Sequence, residues 1–228
     1  MLNLEKPTDS YIFGFIQGDG HLYKQSRNRG RMSIELNIKD IDILEKIGKY
    51  LGYNYSIHER TRQTNFSLEC TSAILTVCAR EFRESLVDAG IPYGAKSSII
   101  CLPKTPFSEI DYFRGMIDAD GSLGFTANQF PFLSLLISSD DIYVAYKQFL
   151  NKHLSIIKNV NRNKRDNVYN IVVLKEQAVA LVNILYYNNA FSMNRKRELA
   201  SKIKKWKRPK YMKIRNLKNE SFYRNRNF

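Results

Sequence analysis

Apolar and polar residues alternate over Met32 to Ile38. Met32, Ile34, Leu36 and Ile38 fall on one side of an extended chain, and Ser33, Glu35 and Asn37 on the other. That two-residue period belongs to a half-buried strand. Tyr53 to Arg60 repeats it, with Asn54, Ser56, His58 and Arg60 on the polar side. Extended over the first half, the pattern predicts strands near 20–26 and 31–38, a helix over 40–51, strands near 53–60 and 64–71, and a helix over 72–89. In the second half it predicts strands near 121–128 and 132–138, a helix over 140–154, strands near 155–163 and 167–174, and helices across 175–187 and 194–206. With a leading helix, each half has the order αββαββα: antiparallel hairpins with helices on one sheet face, an α+β plan. The other face stays polar and open. Such a surface carries donors and acceptors that suit base edges in the major groove, although alone it is equally an ordinary solvated face.

The two halves are copies. Tyr11-Ile-Phe-Gly-Phe-Ile-Gln-Gly-Asp-Gly20 recurs as Tyr112-Phe-Arg-Gly-Met-Ile-Asp-Ala-Asp-Gly121, displaced by 101 positions. Pro103 and Pro106 mark a short, mixed junction between them, too short for a long tether, so direct packing of the halves is expected. The boundaries follow: a first repeat over 1–104, a second over 105–206, and a tail over 207–228.

Small residues recur four apart in both copies, Gly14 with Gly18 and Gly115 with Ala119. On a helix they share one face, and two such faces meet with backbones nearly touching. Gly14, Gly18, Gly115 and Ala119 are therefore the expected contact between the halves. Each helix then ends in Asp-Gly, where a left-handed glycine is the expected stop. Asp19 and Asp120 would be neighbours, and two carboxylates held together imply a cation between them. Mg²⁺ fits, since it takes one or two carboxylates and completes its shell with water and phosphate.

Composition narrows the class. The chain has 228 residues, 43% hydrophobic, with no long charge-free apolar run, so a membrane span is not expected. Met1 to Ser10 has acids and a proline where a secretion signal needs a basic start and an apolar stretch. Cys70, Cys78 and Cys101 are odd in number and lack C-x-x-C spacing, which favours buried free thiols in a reducing, intracellular setting. His21, His58 and His153 have no ligand spacing. An EF-hand reading of Asp118-x-Asp120-Gly121 fails because position 127 is Ala. Net charge is +14, and Asn194 to Phe228 carries fourteen Lys and Arg against two acids, so twelve of those net charges lie there. A polyanion, nucleic acid above all, is the favoured partner, although the charge run taken alone reads better as a solvated tail.

The two decapeptides, in register and each followed by the same series of elements, resemble the paired motif of the LAGLIDADG homing endonucleases over nearly the whole chain. The resemblance implies a single-chain, two-motif protein with saddle-shaped sheets along double-stranded DNA. It would be a monomer that cuts both strands at a long asymmetric site and leaves short 3′ overhangs. It also implies Asp19 and Asp120 as catalytic metal ligands, with Gly18 and Ala119 beside the ion, Mg²⁺ being the cofactor and Mn²⁺ or Ca²⁺ substituting in binding. Lys96 and Lys196, in Tyr93-Gly-Ala-Lys-Ser97 and Met193-Asn-Arg-Lys-Arg197, become the assisting basic residues. Ser33, Glu35, Asn37, Asn54, Ser56, His58, Arg60, Arg162, Lys207 and Arg208 become candidate DNA contacts. Gln17 and Gly18 stand where the second copy has Asp118 and Ala119; since the resemblance makes only the second aspartate of the motif a metal ligand, Gln17 leaves activity intact while allowing the two centres to differ. Beyond Trp206, the residues Lys210, Lys213, Arg215 and Lys218 would extend the footprint through phosphates. The competing reading is a binding module on the same scaffold, an intron RNA maturase or a non-cleaving DNA-binding protein. Retention of both aspartates favours the nuclease.

Overall fold

The computed structural model describes residues 2–64 and 67–209. Helix α1 (Pro7–Asp19) opens the chain, with Pro7 in its first turn and Asp9 favourably placed near the positive end of its dipole. It runs straight into β1 (Gly20–Lys24), followed by β2 (Gly30–Asn37), α2 (Ile41–Leu51), β3 (Tyr55–Thr64), β4 (Ser67–Val77) and α3 (Arg80–Asp88). Helix α4 (Glu109–Asp120) starts the second series: β5 (Gly121–Phe125), β6 (Pro131–Ile137), α5 (Asp140–Leu154), β7 (Tyr169–Leu174), α6 (Lys175–Leu185) and α7 (Asn194–Lys204). Both sheets are antiparallel, in the orders β1-β2-β4-β3 and β5-β6-β7. The chain is thus a mixed helix and antiparallel-sheet protein. One side of the first sheet, with Leu22, Met32, Ile34, Ala73, Leu75 and Val77, is buried, as are Leu133, Leu135, Ile171 and Val173 of the second.

Several expected elements take another form. The helix expected over 72–89 begins only at Arg80, because Ala73, Leu75 and Val77 are buried in alternation and continue β4 across the sheet. No strand forms over 155–163. Val160 is held by the Tyr143 hydroxyl at 3.1 Å, and Asn163 turns back onto Val168 at 2.9 Å, so the second half has three strands. The glycines after the aspartates are not left-handed. Gly20 (φ −76°, ψ 153°) and Gly121 (φ −91°, ψ 166°) are already extended. They are glycine for space: a Cβ would lie 2.5 Å from the Ile16 carbonyl oxygen at Gly20, and 2.6 Å from that of Ile117 at Gly121. The cysteines are free, but Cys78 is exposed and Cys70 and Cys101 are half-buried rather than buried, Cys70 and Cys78 sharing the open-face parity of β4. Among the described residues, no helix is long and apolar enough to cross a membrane.

Candidate active site

Helices α1 and α4 pack backbone against backbone. A Cβ on Gly14 would overlap the Tyr112 carbonyl oxygen, one on Gly115 would overlap the Tyr11 carbonyl oxygen, and one on Gly18 would lie 2.5 Å from the Ala119 Cβ. That approach brings the helix ends together. Asp120 Oδ2 stands 3.0 Å from where a Gly18 side chain would begin, and its charge is felt at Asp19. Lost hydration pushes Asp19 up to about 6, with the Asp120 charge adding to the shift and Lys196 and Lys96 opposing it. Asp120 is raised by the same loss of hydration, against the pull of Lys96 and Lys196.

The lysines sit on the helix ends themselves. Lys96 Nζ donates to the Gln17 and Gly18 carbonyls, both at 2.6 Å. Lys196 Nζ donates to Ile117 (2.7 Å), Asp118 (2.6 Å) and Gly121 (2.9 Å). A cation there satisfies carbonyls that a terminating helix leaves open and complements the negative end of its dipole. An ammonium has three donors, so Lys196 is fully engaged and Lys96 keeps one to offer. Burial lowers the pKa of both, and the aspartates pull in the other direction.

Between the helices lies a polar pair that sequence reasoning missed. Asp118 is buried and accepts from the hydroxyls of Tyr11 and Tyr186, both at 2.7 Å, and from the Met193 amide at 2.8 Å. Burial raises its pKa, and Lys196 and the three donors counter that. In the other copy, the Tyr112 hydroxyl donates to Gln17 Oε1, while Gln17 Nε2 reaches the Cys101 carbonyl at 2.8 Å. Each helix thus sends a tyrosine to the other's polar residue. Two further links tie the lysine-bearing segments across the molecule. Arg195 grips Asp40 with two bonds of 2.9 Å, and Ser139 Oγ bonds the Ile100 carbonyl at 2.5 Å. The signal available in the sequence was the recurrence of Tyr and a polar residue at matching places in both copies.

The sheet-borne candidates spread over the open face of the first sheet. Ser33, Glu35 and Asn37 on β2 share it with Ser56, His58 and Arg60 on β3, through Thr76, Ile74 and Ser72 of β4. Asn54 is exposed just before β3. Glu35 accepts from Arg62 at 2.9 Å and from Ser72 at 2.6 Å, and the Asn37 side chain accepts from the Lys39 amide. Arg162, in the segment that forms no strand, donates to Asp140 (3.0 Å) and to the Asn167 carbonyl (2.6 Å) and lies over the Tyr169 ring. Arg208 forms a two-pronged pair with Glu176 at 2.7 and 2.8 Å, so its guanidinium faces the protein. Lys207 is exposed. Lys210, Lys213, Arg215 and Lys218 lie outside the described residues. Among the described residues no cluster of three or more His, Cys, Asp or Glu could cage a metal. A pair of carboxylates at an open junction suits an ion that keeps water and phosphate in its shell.

Residues 12–79 match the family model described as LAGLIDADG endonuclease. Comparison with curated protein sequences finds no match. Among solved structures, the homing endonuclease I-WcaI bound to its DNA recognition sequence superposes with a TM-score of 0.59 at 14% identity, covering 88% of each chain. The I-LtrWI LAGLIDADG homing endonuclease bound to target DNA gives 0.51 at 12%, covering 86% of this chain and 87% of the other. The N-terminal LAGLIDADG domain of DUF199/WhiA gives 0.51 at 15%, covering 85% of both. At these identities the likeness to the solved structures is one of fold, and the match to the LAGLIDADG endonuclease family model covers the first motif and its sheet.

Proposed function

We propose that the protein is a site-specific DNA endonuclease, a monomer that hydrolyses one phosphodiester in each strand of a long asymmetric duplex site and leaves short 3′ overhangs. The observation that supports this reading is the junction of α1 and α4, which sets Asp19 against Asp120 with Lys96 and Lys196 at the same helix ends. On this reading the carboxylates hold a divalent cation, Mg²⁺ by the hardness of the donors, with Gly18 and Ala119 beside it. The chemistry such an ion supplies is activation of an attacking water and stabilisation of the leaving oxygen. Asp19 and Asp120 orient that centre. Lys196 fixes the end of α4, and Lys96, with one donor left, also reaches a phosphate oxygen. Ser33, Ser56, His58 and Arg60 face the duplex, which the chain's charge of +14 attracts. Such a protein works inside a cell or organelle, where an intron-borne reading frame would place it.

The test is cleavage of the uninterrupted gene sequence that flanks this reading frame, with Mg²⁺ or with chelator. Wild type is expected to cut both strands only with metal, and Asp19→Asn or Asp120→Asn is expected to abolish cutting or reduce it to nicking. Tight binding without cutting by wild type, in any divalent metal, would select the non-cleaving binder or the RNA maturase instead.

A further inference from the structure

The open faces of the two sheets carry opposite chemistry. The repeat displacement of 101 matches Arg31 with Phe132, Ser33 with Ser134 and Glu35 with Leu136, and the registers agree, Gly20 pairing with Ile34 as Gly121 pairs with Leu135. On the neighbouring strand Thr76 opposes Ser33, whereas Val172 opposes Ser134. Arg31, Glu35 and Thr76 of the first sheet thus give way to Phe132, Leu136 and Val172 in the second, while the serine between them is kept. Phe132, Leu136, Val172 and Leu174 all point away from the helices, and Leu136 and Leu174 remain 47% and 40% exposed. Within β5, β6 and β7 no ionisable side chain stands on this face. Its polar groups are small and neutral: Ser122, Ser134 and Asn170.

Resting on the endonuclease reading above, we infer that this second sheet reads one half of the DNA site through the 5-methyl groups of thymine. In the major groove only thymine presents a methyl, and adenine opposite it presents the acceptor and donor pair that an asparagine matches. Asn170 sits directly across from Leu136 in the register, so the two together suit an A·T pair. A G·C pair at the same place would bury the cytosine amine against leucine with no partner, which is unfavourable.

The face is continuous with the reaction centre. Leu136 lines one cleft with Gly18 and Asp120. From Leu136 to Phe132 the strand rises about 13 Å, the length of about four base pairs. Cations border the apolar strip: Lys175 follows Leu174, and Lys164 and Arg165 lie in the segment whose Asp166 lines the same cleft. An apolar floor flanked by cations fits a groove with methyls inside and phosphates outside better than it fits an apolar protein surface.

Sites are selected from a random-sequence duplex pool bound by the full chain in Ca²⁺, then remade with uracil replacing thymine in one half or the other. Each buried methyl contributes about fourfold in affinity, so loss of two or three contacts is expected to weaken binding at least tenfold, in one half only. In Phe132→Ser with Val172→Thr, thymine and uracil duplexes are expected to bind alike. Equal binding of both duplexes by wild type in both halves would overturn the inference while leaving the nuclease reading intact. Light scattering that shows a wild-type dimer dissociated by the double substitution would overturn it too, together with the monomer reading. A pool with no enriched sequence would overturn the nuclease reading as well.

Discussion

Gln17 and Asp118 hold one position in the two motif copies, and each is met by a tyrosine from the opposite helix. A neutral amide meets one hydroxyl and one carbonyl; a carboxylate meets three donors. Asp118→Ala would leave the Tyr11 and Tyr186 hydroxyls and the Met193 amide without an acceptor, each at a cost of about 1 to 3 kcal/mol. A loss of about 3 kcal/mol or more is expected in urea unfolding, whereas Tyr11→Phe, which removes one donor of three, should cost about 1 kcal/mol. Equal losses for the two would show that Asp118 is not held by the network. That Asp19 and Asp120 end their helices was legible in the sequence because Asp-Gly closes both copies, whereas the seating of Lys96 and Lys196 on those helix ends is visible only in the fold. Gln17 and Asp118 were not recognised as crosslinks. A polar residue on a helix shows its partner only once two helices have crossed, and Tyr11 lies 107 positions from Asp118.

Most elements were legible from periodicity alone, α5 with both its ends, but three local outcomes were set by neighbours. β4 continues through Ala73, Leu75 and Val77 because β2 and β3 are there to pair with it, and a single-chain pattern cannot see that pairing. The 155–163 segment has the composition of a strand, yet its polar groups go to Tyr143 and to its own turn. Gly20 and Gly121 are glycine because a strand leaves directly over the last helical turn. The close approach of α1 and α4, by contrast, was legible as small residues four apart, and it gives the sharpest prediction for these elements. Gly115→Ala places a methyl into the Tyr11 carbonyl and 2.8 Å from the Phe15 amide, where backbone rather than a flexible side chain must move. A loss of about 3 kcal/mol is expected, the upper range for overpacking. Gly52→Ala, at φ +69° with nothing within 4 Å, should cost about 1 kcal/mol from the left-handed backbone alone. Denaturant midpoints of the two variants decide, and equal shifts would contradict a backbone-tight helix junction.

Across the whole molecule, net charge and the open sheet faces lie in different parts. The open face of the first sheet is largely polar, that of the second largely apolar, and most of the net positive charge lies from Asn194 onward. The near end of that segment is fastened to the protein: Trp206 Nε1 donates to the Gln129 carbonyl at 3.0 Å, its ring meets Phe130 edge-on, and Arg208 is paired with Glu176. Arg208 holds the Glu176 carboxyl down at about 2, so the pair stays charged across the neutral range and the fastening survives there. Removal of residues 210–228 leaves those contacts in place and takes away Lys210, Lys213, Arg215, Lys218, Arg224 and Arg226 against one acid. Each phosphate contact adds about 0.9 to the slope of log affinity against log salt. If four of these cations meet phosphates, the truncated protein should bind with a slope shallower by about 3 to 4, with the cut position unchanged because phosphate contacts carry no base information. Binding titrations from low to physiological salt, with the cleavage product mapped on the same duplex, measure both quantities. An unchanged slope would mean that the basic segment does not touch the duplex, and a shifted cut would mean that it helps to select the site.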